Sequence, residues 1–542
     1  MARSFLSAFM SGDPAVRGLL SLDFREPAAR ARRVAAVKTQ VVPPALLAEL
    51  RAQNEEWPES ASRRANLEAL ARPGTVAVIT GQQVGLFLGP LYTFYKAASA
   101  VAVARAIEAE TGTRCVPVFW LQTEDHDFDE ISVCHVLGTG GVARKANMAP
   151  DARLPARSSI AHHRLGADVE TALASLDDAL AMAPGAAEVM QLLRAHYRPG
   201  VPVGRAFGRV IAALFADAGL IVFDPRVPAV ARLAVPLYQR ALDEHAEIGR
   251  ALTDRKGVIE AAGLSEQVPV RPNCPLVFFH EGSAEGPRYR LERTDAGTWA
   301  LAGAAGASVA DAELRRLLHD DPLRFSSSAL LRPLLQDTLF PTAAYVGGPA
   351  ELAYFAQLGP LYDRFHLPQP LVVLRARLRC VDSKSQRLLA QLGLTAADLD
   401  RPEAELLQKL AARAASETSD LPTPAALANE LTAAVEPALL RLREVLGATD
   451  ATLLGTVDRR SKQMRVSLER LVTKYGAALA RKDKTRLERL ERLKTYLNPE
   501  GHPQERHYGW PTMAARAGQD RFARTVADAI VPFSTDIQEI CP

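Results

Sequence analysis

Cysteine is scarce in this chain of 542 residues: only Cys115, Cys134, Cys274, Cys380 and Cys541 occur, with no CxxC pair. An odd number without metal-ligand spacing implies neither a disulfide framework nor a zinc site, and a reducing cytoplasm is the expected compartment. Long apolar runs are missing too. No stretch reaches the roughly 18 uninterrupted apolar residues of a spanning helix, and Asp13 and Pro14 cut the first short apolar stretch before a signal-peptide core can form. Nor is there an excess of one charge. Lysine plus arginine number 65 against 62 acids, and the basic residues are spread along the chain, so no nucleic-acid face and no membrane contact are expected. What the chain does have is 48% hydrophobic residues, which excludes disorder. Its length predicts about three units.

Helical patterning with proline breakers fills the first 74 residues, expected to pack on the core. The texture changes at Thr75-Val-Ala-Val-Ile79, a short β-branched run of the kind a buried parallel strand shows. It stops at the glycine-bearing Thr80-Gly-Gln-Gln-Val-Gly85. An alanine-rich helix from Leu91 to Thr111 and a second apolar run, Cys115 to Leu121, complete a βαβ unit of a doubly wound parallel α/β sheet. Leu220–Phe223, Ala343–Val346 and Leu371–Leu374 read as further strands of the same sheet. The core is therefore expected over 75–381, with insertions at about 138–200 and 229–333, the second holding a hairpin around Leu276–His280 and Tyr289–Leu291. Beyond Asp382 strands disappear, and 382–497 reads as a helical arm. Its leucines 468, 471, 487, 490, 493 and 497 among charges give a coiled-coil signature, met either by a partner helix or by a hairpin on its own core. Residues 498–542 form a tail returning to the core.

In open α/β sheets ligands bind outside the carboxyl ends of the strands, and three loops are expected there. The first offers Thr80, Gly81, Gln82, Gln83, Gly85, Tyr92, Thr93 and Lys96, where backbone N–H groups, a helix N-terminus and an ammonium suit an anion. It is no Walker loop, since GxxxxGK[ST] is absent, and the glycines serve equally as turn residues. The second, Glu124, Asp125, His126 and Asp127, lies in the densest titratable cluster of the chain and follows a wholly apolar strand. Binding an amine, acid/base catalysis by His126, and holding Mg2+ through Asp125 and Asp127 are all open to it. The third joins Tyr345, Gly347, Gly348 and Glu351 at a strand-to-helix turn, with Arg332 upstream as a clamp for carboxylates. Lys384, among serines after the last strand, is a weaker candidate for nucleotide phosphate against a plain helix start.

The runs Val78-Ile-Thr-Gly-Gln-Gln-Val-Gly-Leu-Phe-Leu-Gly-Pro-Leu-Tyr-Thr93, Glu124-Asp-His-Asp-Phe-Asp-Glu-Ile131, Arg332-Pro-Leu-Leu-Gln-Asp337 and Gly347-Gly-Pro-Ala-Glu-Leu-Ala-Tyr354 closely resemble the bacillithiol-biosynthesis cysteine-adding enzymes, the BshC family. The resemblance spans nearly the whole chain. It implies a Rossmann-like core with inserted segments, a coiled-coil arm that makes a homodimer, and a ligase joining cysteine to the amino group of glucosaminyl-malate. Such an amide bond needs an activated carboxylate, for which ATP is expected, with Mg2+ its usual companion. The histidine pair of class I adenylating enzymes is absent between Gly85 and Pro90. The alternatives are another adenylate-forming or nucleotidyl-transferring enzyme on the same fold, and a non-catalytic scaffold built around the coiled coil.

Overall fold

A computed structural model describes residues 4–138, 140–417 and 421–542. The chain divides into two compact units, one comprising residues 1–378, 508–540 and 542 and the other residues 379–507 with Cys541.

The centre of the first unit is a five-stranded sheet of β1 (Val76–Gln83), β2 (Cys115–Gln122), β3 (Ile221–Phe223), β4 (Thr342–Gly347) and β5 (Leu371–Leu374). Their order is β5-β4-β1-β2-β3, and every pairing is parallel. The strands sit where the apolar β-branched runs are because a parallel sheet covered on both faces leaves no polar side. From Val76 to Ile79 and from Val116 to Leu121 every residue is buried. The chain runs outward from β1 to one side and then returns to the other, so a topological switch point lies between β1 and β4.

One boundary departs from the sequence reading. Thr80 to Gln83 are strand, not loop, with β1 pairing β2 as far as Gln83 with Gln122. Gly81 is a place of close strand approach: a Cβ there would stand 3.0 Å from the Trp120 carbonyl oxygen. The turn begins only at Val84, and Phe87, Leu88 and Gly89 take positive φ values of 51°, 73° and 62°. Left-handed conformations in two large residues cost about 1–3 kcal/mol each. Burial of Leu86, Phe87 and Leu88, with Phe87 edge-on to Tyr197 at 5.0 Å, holds them there.

Helices from the N-terminal segment dock on the sheet through arginines that donate into carbonyls. Arg33 reaches the carbonyl oxygens of Thr342 and Pro368, and Arg63 those of Pro58, Ala212 and Leu220. Between β2 and β3 the chain forms the hairpin Val133–Leu137/Ala143–Asn147 and the helices Asp168–Leu180, Ala186–His196 and Val203–Leu214. Between β3 and β4 it builds a second, antiparallel sheet of Phe325–Ser327, Val277–His280, Arg288–Arg293, Thr298–Ala302 and Ser308–Ala310, in that order. The expected hairpin is there, pairing Phe278 with Arg290.

The second unit is helical. Pro424–Thr449 and Leu454–Arg481 form an antiparallel hairpin, marked by the ion pairs Arg443–Asp458 and Arg465–Glu436. Glu403–Glu417 packs along the second of these helices. The buried seam of Leu454–Arg481 runs through Val457, Ser461, Val472, Gly476 and Leu479, leaving Leu471 60% exposed. The expected stripe is therefore one residue out of phase at Leu471, whereas Leu490, Leu493 and Leu497 are buried as expected. Gly476 is where other helices come close, since a Cβ there would lie 3.3 Å from Pro424 and 3.5 Å from Gln408. The long helix expected to continue to Leu497 breaks at Lys482, and Asp483 caps a new one, Lys484–Leu497.

Candidate functional site

At the switch point, helix Tyr92–Thr111 follows β1 and helix Pro349–Phe355 follows β4, and one ion pair links them. Lys96 on the first is 3% exposed and meets Glu351 on the second at 2.5 Å. Its other two hydrogens go to the Gly81 carbonyl and to Gln82 Oε1, both at 2.9 Å. Three donors with three acceptors mark an ammonium, so the pair is ionised. Glu351 also accepts from the Tyr345 hydroxyl at 2.5 Å and from the Gly348 N–H at 2.7 Å. Burial works to raise its carboxyl, but Lys96 and these donors hold it below the usual value. Arg332, 6% exposed, lies over the Tyr345 ring and donates to Gln336 Oε1 and the Tyr354 hydroxyl. Two buried cations thus share one carboxylate, an arrangement that favours a further anion. Tyr92 receives a hydrogen bond from Gln82, and the Thr93 hydroxyl, 1% exposed, has no partner among the described residues.

The acidic cluster lies at the carboxyl end of the neighbouring strand, β2. Successive strand residues point to opposite faces, so Gln82 turns to Lys96 while Gln83 turns to Asp125, donating to its Oδ2 at 2.9 Å. Asp125 Oδ1 accepts from the His126 N–H and from Arg288, whose charge helps keep its carboxyl below the usual value against burial. Burial, then Arg288, drives the His126 ring down to about 4. Arg288 comes from the antiparallel sheet of the second insertion.

Several expected residues are placed otherwise. Glu124 is 4% exposed, accepts from the Ser327 hydroxyl at 2.8 Å and is flanked by Arg226 and Arg288. It ties the end of β2 to the inserted sheet. Asp127 is exposed and caps the short helix Phe128–Ile131. Mg2+ does not fit this pair: Asp125 is engaged on both oxygens beside a guanidinium, and Asp127 is turned to its cap. Thr80 is fully buried and bonded to the Val346 carbonyl, a tie between strands. Gly81 and Gly347 are strand residues, and Gly85 packs against Gly89. Lys384 is an exposed residue in the first turn of a helix of the second unit, Ser383–Leu392, which Asp382 caps. Burial pushes the Cys134 thiol up to about 12 and the Cys115 thiol higher still, which removes both as nucleophiles. Arg288, Tyr354 and Ser327 were missed by sequence reasoning. Tyr354 closes the run Gly347–Tyr354 and Ser327 lies among the serines after Phe325, whereas Arg288 carried no signal.

A doubly wound parallel sheet with a buried charged cluster at its switch point defines a Rossmann-like α/β protein, a class in which ligands bind at the carboxyl edge. Residues 2–376 match the family described as bacillithiol biosynthesis BshC, N-terminal Rossmann-like domain, and residues 378–538 match its C-terminal coiled-coil domain. The chain belongs to the bacillithiol biosynthesis BshC family. Among its relatives, proteins named "Putative cysteine ligase BshC" from Solibacter usitatus, Koribacter versatilis and Salinibacter ruber are 35%, 34% and 34% identical. The alignments cover 91%, 88% and 89% of this chain and 88%, 86% and 85% of theirs.

Proposed function

We propose that the protein is a cytoplasmic ligase of bacillithiol biosynthesis that joins the carboxylate of cysteine to the amino group of glucosaminyl-malate. The observation that carries this reading is the pairing of two unlike clusters on one strand end. Gln82 ties the Lys96–Glu351 cation pocket to β1, and Gln83 ties Asp125 to the very next position. A substrate with carboxylates at one end and an amine at the other matches that polarity. Arg332 holds a malate carboxylate, and Lys96, its three hydrogens already committed, adds only its charge. Asp125, kept ionised by Arg288, faces the substrate nitrogen, which gives one proton to solvent to become a free amine; as that amine attacks the activated acyl carbon, Asp125 takes the second proton. The activating group then leaves with the C–O electron pair. ATP is the cosubstrate we assign to that activation. The arm pairs with a second copy of the chain, a reading supported by exposed apolar residues such as Leu440, Met464 and Leu471.

The test is complementation of cells lacking the cysteine-adding step, followed by thiol profiling. Asp125→Asn and Asp125→Ala are each expected to lower bacillithiol at least about 100-fold at equal protein level, the scale of a lost proton-transfer group. Unchanged bacillithiol in both would overturn the assignment.

A further inference from the structure

An aspartate beside a histidine in a candidate active site invites a dyad in which the carboxylate orients the ring and the ring acts as base. Here His126 Nδ1 stands 3.5 Å from Asp125 Oδ1. Arg288 intervenes: its Nη1 lies 3.1 Å from the same ring nitrogen and 3.4 Å from Asp125 Oδ1. A guanidinium has donors only, so Nδ1 must accept, and the proton of a neutral ring must sit on Nε2. We infer that Arg288 is a positioning residue that fixes His126 as a neutral Nε2–H donor, which hydrogen-bonds the oxygen of the reacting acyl group instead of removing a proton.

Arg288 has no freedom to do otherwise. It is 4% exposed, and its guanidinium lies 3.8 Å from the Phe278 ring centroid. Its Nε donates to the Ser326 hydroxyl at 2.9 Å and its Nη2 to the Ser327 carbonyl at 2.8 Å. Its backbone N–H donates to the Arg157 carbonyl while the Arg157 guanidinium returns to the Arg288 carbonyl, so both insertions fix it. The charged groups facing His126 are Arg288 and Arg157 on one side and Asp125 and Asp127 on the other. The ring is 23% exposed, and its Nε2 has no protein partner among the described residues, leaving that edge open to substrate. A neutral donor aimed where negative charge develops lowers a barrier electrostatically without itself changing protonation.

The inference rests on the reading that the end of β2 holds the reacting groups, but its test needs no turnover. Nitrogen-15 histidine spectra of the full-length protein near neutral pH, with the His126 signals assigned by their loss in His126→Gln, read the tautomer directly. The expected pattern is a neutral ring protonated on Nε2. In Arg288→Gln the ring is expected to shift toward Nδ1–H facing Asp125 and to become cationic on mild acidification. Arg288→Met, which removes the donors and keeps the apolar stem, provides the same comparison if the glutamine variant fails to fold. A wild-type ring that is Nδ1–H or cationic near neutral pH, or a tautomer unmoved by either substitution, would overturn the inference. A dispensable Asp125 would instead remove the ligase assignment and leave the tautomer standing.

Discussion

The sheet unit and the hairpin of the helical unit handle charge in opposite ways. In the sheet unit Lys96, Glu124, Arg226, Arg288, Arg332 and Asp337 are each less than a tenth exposed. Their partners are backbone carbonyls, hydroxyls, side-chain amides and neighbouring charged groups. In the helical unit the ion pairs that cross the hairpin, Arg443–Asp458 and Arg465–Glu436, have side chains between 33% and 54% exposed. Buried charge must be bonded or it unfolds its surroundings, whereas exposed charge is screened and contributes little. The contrast separates the region where substitution changes chemistry and stability together from the region where it changes surface alone.

The largest effect expected of that contrast is at Lys96. Lys96→Met takes from Glu351, whose side chain is 19% exposed, the ammonium that meets it, and loss of one partner of a largely buried pair costs up to about 3–5 kcal/mol. Denaturant unfolding followed by tryptophan fluorescence measures it, because all four tryptophans, Trp57, Trp120, Trp299 and Trp510, fall in the sheet unit. Bacillithiol in complemented cells is expected to fall as well. A midpoint close to that of the unsubstituted protein would break the comparison.

Acid should act on the same unit by a smaller amount. Burial holds His126 and His162 down to about 4 and His280 to about 2, with arginines adding to each, against 6.5 for a free ring. Values lower in the folded state mean that the unfolded chain takes up protons first. Stability is therefore complete above about pH 6.5 and is lost as pH falls toward 4, by at most about 1.4 kcal/mol per pH unit for each ring. Fluorescence midpoints measured from about pH 7 to about pH 4.5 should decline along that slope. A flat profile would show that these rings are not buried neutral.

How legible each region was follows from what its residues contact. The strands could be read because a sheet covered on both faces demands unbroken apolar runs, and the acidic loop because it emerges from one of them. The end of β1 could not, since Thr80 to Gln83 are polar residues that serve the carboxyl edge while still pairing with β2. Arg288 was invisible for another reason. It sits 162 residues from His126 in sequence, and only the fold of the insertion brings the two within 3.1 Å. In the arm, periodicity revealed the helices and the buried Leu490, Leu493 and Leu497, but it misplaced the buried face of Leu454–Arg481, whose seam answers to two neighbouring helices and not to one partner.

The smallest effect belongs to that arm. Arg465 meets Glu436 at 2.6 Å across the hairpin, a geometry as good as many buried pairs. Yet water reaches both side chains, which are 46% and 33% exposed, and holding two long side chains in one rotamer offsets most of the attraction. Arg465→Ala should leave the helical unfolding transition, followed by circular dichroism, where it was. Val472→Ala, at a seam position 8% exposed, should move it, because packing between helices and not charge holds the hairpin together. If the arginine substitution moved the transition more than the valine one, the arm would be held by its ion pairs, and the contrast between the units would be one of degree.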